Sequence, residues 1–192
     1  MLRSFIAVEI PAEIQNAIAQ STASLKNRFP KPLIRWVAPQ NVHLTLKFLG
    51  DVSPANLERL SGALKAEAAS HEMFCISVSG LGAFPTQQRP RVIWIGLDAP
   101  PGLAALQRGV DAAAAQLGYP KEERPFSPHL TIGRVSQTAS ASDLMHIHSA
   151  LESTKVGILG AVRVQAIHIF KSDLRPGGSV YTLLSTLSMK ST

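Results

Sequence analysis

Cysteine, aromatic residues and acidic charge are all scarce in this chain. Its 192 residues contain one cysteine, Cys75, so no internal disulfide can form and thiolate metal clusters are excluded. Aromatic residues make up 6% and no ribonucleoprotein-type aromatic motif is present, which disfavours a non-catalytic RNA-binding module that stacks bases on exposed rings. Asp and Glu number 13 against 19 Lys and Arg, a net charge of +6 that serves either solubility or a polyanionic partner such as RNA. No apolar run approaches the ~18 residues of a membrane span. The opening MLRSFIAVEIP carries Glu9 inside its apolar stretch, which a signal peptide avoids. A cytoplasmic protein with no membrane association is therefore expected. The 13 glycines and 13 prolines follow no period, which excludes collagen and long coiled coil. A chain of this length buries roughly 70% of its unfolded surface and needs no staple to fold.

Periodicity and breakers predict strands over residues 2–10, 34–37, 43–49, 74–78, 92–97, 129–135, 162–170 and 181–187. Helices are predicted over 11–29, from the Ser53-Pro54 cap to Ala69, over 102–117 and over 142–151. Residues 80–90 read as a loop and 175–178 as a turn. No linker divides the chain, and residues 1–192 read as a single domain. Within it, HLTL at 43 recurs as HLTI 86 residues later, and Arg3-Ser-Phe-Ile matches Arg91-Val-Ile-Trp at an offset of 88. This is a β-α-β-α-β duplication with a period near 87, too long for a solenoid, whose periods run about 20–50 residues. The expected architecture is α+β, two-lobed and pseudo-two-fold, with one HLT strand from each half facing its copy.

Residues two apart on a strand share a face. His43, Thr45 and Lys47 then point one way while Leu44, Leu46 and Phe48 point the other; His129 and Thr131 likewise oppose Leu130 and Ile132. The apolar sets need a core, so the polar sets face solvent or a cleft. If the copies meet, two imidazoles and two hydroxyls converge. One histidine can act as acid and the other as base near neutral pH, while threonine hydroxyls can donate to phosphoryl oxygens. That set suits in-line displacement at a phosphate held between them. It is a poor cage for magnesium or calcium, and no third ligand accompanies either motif for zinc, so no metal and no cofactor are expected. A single HxT on a strand is more often structural; two copies at equivalent positions of a duplication point to chemistry. His71, His146, His148 and His168 lack such a partner and read as structural or solvated.

The paired HLTL and HLTI motifs resemble those of the two-histidine phosphoesterase superfamily. Within it the chain is similar to the bacterial and archaeal RNA 2′,3′-cyclic phosphodiesterases, also called 2′-5′ RNA ligases. The likeness extends over RSFIAVEIP, Trp36, FLG ending at Gly50, PRVIWIG, RPFSPHLTIGR and KSDLRPGGSVY. It implies two antiparallel sheets forming a central cleft with helices outside. It implies metal-independent hydrolysis of a 2′,3′-cyclic phosphate, on RNA ends or cyclic nucleotides, to the 2′-phosphate. His43 would be the proton donor and His129 the proton acceptor, with Thr45 and Thr131 holding the phosphate. Tyr181 lies in the C-terminal match, where GGSVY replaces a shorter Gly-Pro form. Arg134 matches a frequent family arginine, but strict alternation from His129 puts it on the core face; a bulge would have to reverse it. Lys47 has the parity of a cleft residue and is a supporting candidate. Ligation of RNA ends is the reverse reaction at the same site. A monomer is expected, since the duplication supplies a complete cleft.

Overall fold

The computed structural model describes residues 1–29, 32–176 and 178–191. Among the described residues nine strands make one strongly curled, antiparallel sheet: β1 (Leu2–Glu9), β2 (Ile34–Trp36), β3 (His43–Val52), β4 (Phe74–Pro85), β5 (Pro90–Asp98), β6 (His129–Val135), β7 (Ile158–Val164), β8 (Ala166–Arg175) and β9 (Gly178–Ser188). The helices α1 (Ala12–Ser21), α2 (Ala23–Arg28), α3 (Pro54–Ala69), α4 (Pro101–Ala115) and α5 (Ala141–Ser153) carry the apolar stripes that cover its outer face. The α+β class expected from the sequence is the one observed, but the two expected antiparallel sheets are continuous with each other through the pairing of β3 with β6.

Strand order is β7-β4-β5-β6-β3-β1-β8-β9, with β2 also paired to β6. It is a palindrome: two four-stranded arms, each led by an HLT strand, meet at the centre. They are joined by a single residue pair, Leu44 with Leu130. Beyond that pair β3 and β6 diverge, and β2 takes the vacated edge of β6. The arms do not coincide with the sequence halves. β4, from the first half, pairs with β5, and β8, from the second, pairs with β1. Each half thus hands strand to the other lobe.

The apolar face of each HLT strand explains why the motif is a strand at all. Leu44 and Leu46 of β3, and Leu130 and Ile132 of β6, are buried in the main core. Burial of each contributes roughly 1.5–3 kcal/mol relative to exposure. Helix ends follow local chemistry. Ser53 caps α3 by accepting from the Asn56 amide at 3.2 Å, with Pro54 following. Ser140 and Asp143 form a capping box on α5.

Several boundaries differ from the sequence reading. The helix expected over 11–29 breaks at Thr22, whose buried hydroxyl donates back to the Ile18 carbonyl at 2.7 Å. The loop expected over 80–90 is mostly strand: β4 continues to Pro85 because its backbone pairs with β5 from Ser77 to Pro85, with Gly80 left out at a register shift. The strand expected over 162–170 is two, β7 and β8, separated at Gln165. The predicted turn at 175–178 joins β8 to β9, and Gly177 within it lies outside the described residues. The offset between β1 and β5 is 87, not 88, since Ile6 opposite Lys47 matches Ile93 opposite Gly133.

Candidate active site

The antiparallel register at Leu44–Leu130 places His43 across from Thr131 and Thr45 across from His129. The four polar side chains of the two motifs therefore alternate about the pseudo-two-fold axis on the concave face, while both leucines point into the core. All four are half-buried.

Each imidazole is held the same way. His43 Nδ1 lies 2.7 Å from the Asn41 carbonyl and His129 Nδ1 lies 2.8 Å from the Ser127 carbonyl. A carbonyl can only accept, so Nδ1 carries the hydrogen in both rings. Nε2 is then left to exchange a proton with a ligand. Asn41 is itself fixed, its side-chain amide donating to the Ser179 carbonyl of β9 at 2.8 Å. The rings' surroundings differ. His43 packs against Phe5 at 4.7 Å and edge-on to Tyr181 at 5.2 Å between centroids. Burial pushes its pKa below the ordinary histidine value, the Asn41 hydrogen bond opposes this, and the nearby positive charge of Arg134 lowers it further. His129 meets the edge of Phe84 at 5.0 Å.

Tyr181 and Arg134 join this cleft. Arg134 reaches it through a β-bulge. Thr131 pairs with Trp94 and Gly133 with Ile93, so Ile132 is an extra residue in β6 and the side-chain alternation reverses after it. Gly133 then faces the core, where a Cβ would come within 2.8 Å of the Trp36 ring. Arg134 is turned to the exposed, concave side.

An equivalent bulge in β3 removes Lys47 from the cleft. In β3, Thr45 pairs with Ala7 and Lys47 with Ile6, leaving Leu46 as the extra residue. Lys47 therefore points away from the cleft, contrary to its parity. It is buried, pairs with Asp111 of α4 and donates to the Pro120 carbonyl at 2.7 Å. Gln107, one turn before Asp111 on α4, reaches the Leu46 carbonyl at 3.5 Å. Phe48 takes the cleft position instead, 67% exposed and 6.1 Å from Phe5.

Sequence reading missed the rest of the cleft wall. In the first lobe Phe5, Ala7 and Phe170 form a small apolar cluster separate from the main core, with Tyr181 packed on it. In the second, Trp94 lies across Gly82, where a Cβ would stand 2.3 Å from the indole ring. Alternation in β1 carried a signal for Phe5, since Phe5 and Ile6 cannot share a face; the pairing of β8 and β9 beside it carried none. His168, read as structural, sits near this wall with Nε2 3.9 Å from Glu9 and Nδ1 3.2 Å from Thr186 Oγ1. Among the described residues no three His, Cys, Asp or Glu side chains gather as a metal site, and no helix is long and apolar enough to cross a membrane.

Comparison with known proteins agrees with the duplication. A family model described as LigT-like phosphoesterase matches twice in tandem, over residues 8–94 and 95–181. The RNA 2′,3′-cyclic phosphodiesterase of Methanothermobacter thermautotrophicus is 32% identical over 181 residues, covering 94% of this chain and 95% of that one. A crystal structure of a Thermus thermophilus protein superposes with a TM-score of 0.80 at 26% identity, covering 99% of both chains. The crystal structure of Escherichia coli LigT complexed with 3′-AMP gives 0.74 at 28% identity, covering 98% of both.

Proposed function

The chain belongs to the LigT-like phosphoesterase family and is a phosphodiesterase, and from that premise we propose a two-histidine mechanism for it on RNA 2′,3′-cyclic phosphate ends. The relatives' name supports the substrate class, and the observation that supports the residue roles is the Leu44–Leu130 pairing, which sets each motif beside the other.

In this reading residues 1–192 act as one bilobal unit, and a monomer suffices because one chain supplies both motifs. The cyclic phosphate lies between the histidines. His129 Nε2 takes a proton from the attacking water as its oxygen bonds to phosphorus. His43 Nε2–H gives a proton to the 3′ oxygen as the P–O3′ bond breaks, leaving a 2′-phosphate and a free 3′-hydroxyl. Thr45 and Thr131 donate to the two non-bridging oxygens, whose charge grows in the transition state. Arg134 adds positive charge beside them. Tyr181 fixes one side of His43 and presents an aromatic edge to the ligand. The Nδ1–carbonyl bonds keep both Nε2 atoms aimed at the phosphate throughout.

The test is product analysis on a defined oligonucleotide ending in a 2′,3′-cyclic phosphate, with EDTA present. The expected product carries a 2′-phosphate, at a rate unchanged by the chelator. A 3′-phosphate product, or activity lost in EDTA and restored by zinc or magnesium, would overturn the mechanism.

A further inference from the structure

Two arginines stand side by side at one end of the cleft with no counter-ion among the described residues. β2 pairs with β6 where β3 has diverged, and its register sets Arg35 directly opposite Arg134. Directly opposed residues of an antiparallel pair project from the same face. The flanking pairs fix which face this is. Trp36 packs on Gly133, and Ile34 and Val135 are buried in the core, so Arg35 and Arg134 share the concave face. Both are exposed. Among the described residues neither takes part in an ion pair. Nor is either tied down as Arg91 is, by its bond to the Ser136 carbonyl.

Like charges placed directly opposite on a sheet cost stability. A protein gains from such a pair when an anion lies between the guanidinium groups, and arginine's planar fork is suited to phosphate oxygens. The pair also begins at the candidate site, since the charge of Arg134 is felt at His43. An anion on it would be the next one along a substrate whose cyclic phosphate sits at the histidines.

We infer that Arg35, together with Arg134, forms a second anion subsite that binds the 5′-phosphate of the terminal nucleotide of the substrate. This rests on the phosphodiesterase reading above. In RNA ending in a 2′,3′-cyclic phosphate the chain continues only in the 5′ direction. The nearest remaining anion is thus the phosphate on the 5′ oxygen of that same terminal nucleoside. A cyclic mononucleotide with a free 5′-hydroxyl lacks it. The subsite therefore discriminates RNA ends from free cyclic nucleosides by charge, with no need to read a base.

The experiment compares adenosine 2′,3′-cyclic phosphate having a 5′-hydroxyl with the same compound bearing a 5′-phosphate. kcat/KM is measured for wild type, Arg35→Gln and Arg35→Lys. Wild type should favour the 5′-phosphorylated substrate by about 10-fold or more, the scale of one charge-assisted contact. That preference should shrink as salt is raised. Arg35→Gln should bring the ratio close to unity while changing the 5′-hydroxyl substrate less than about twofold; Arg35→Lys should restore part of it. Three results would overturn the subsite: no wild-type preference, a preference surviving Arg35→Gln, or equal losses on both substrates. A wild type inactive on both compounds would instead remove the phosphodiesterase reading beneath it.

Discussion

Lys47 and Gly133 occupy equivalent positions four residues beyond the two motif histidines, and both are turned to the core face by matching bulges at Leu46 and Ile132. The duplication thus reproduces a backbone irregularity along with the motif. What differs is the use of the inward side chain. Gly133 leaves room for Trp36, whereas Lys47 fills its place with an ammonium bonded to Asp111 and Pro120.

The Lys47–Asp111 pair joins β3 to α4 and to the segment that leads into His129, since Asp111 also accepts from the Glu122 amide at 3.3 Å. Lys47→Met should destabilise the protein by up to about 3 kcal/mol by leaving the largely shielded Asp111 carboxylate without its counter-charge. Pairing Lys47→Met with Asp111→Leu should recover much of that loss. Urea denaturation of the four proteins completes the cycle. Additive losses would show that the two groups act independently.

If one histidine supplies a proton and the other removes one, as proposed, substituting either His43 or His129 by Ala should lower kcat by about 10²–10⁴-fold. Circular dichroism should be unchanged, since both rings line an open cleft. Near wild-type turnover in either variant would remove the two-histidine mechanism.

Thr45→Val and Thr131→Val keep the β-branched shape and delete one donor each. Each should cost about 1–3 kcal/mol of transition-state stabilisation, mainly in kcat. Unaltered kinetics in both would reduce the threonines to good strand formers.

The pH profile should separate the two histidines' roles. The pKa of His43 is depressed by burial and further by the charge of Arg134. Removing that charge with Arg134→Gln must raise it. If His43 is the proton donor, activity is lost as it deprotonates, so the alkaline limb of the kcat/KM profile should move to higher pH. The acid limb should move much less, although both limbs belong to the coupled pair. A shift confined to the acid limb would exchange the assignments of His43 and His129.

The two HLT motifs, their period and the alternation of the first four residues were legible in the sequence, because a half-buried strand writes its two faces into neighbouring residues. From them followed the duplicated α+β fold and the convergence of His43, Thr45, His129 and Thr131. The face of every residue after the motif was not legible. A bulge adds one residue to one strand only, so its position is set by register against β1 and β5. That register turned Lys47 inward and brought Arg134 out, reversing what simple alternation implies. Exchange of β4 and β8 between lobes was likewise decided in three dimensions, since strand pairing depends on which edges remain open once the central strands have met. The same is true of Arg35. In sequence it is one basic residue before a tryptophan. Only the divergence of β3 from β6 admits β2 to that edge and sets it opposite Arg134.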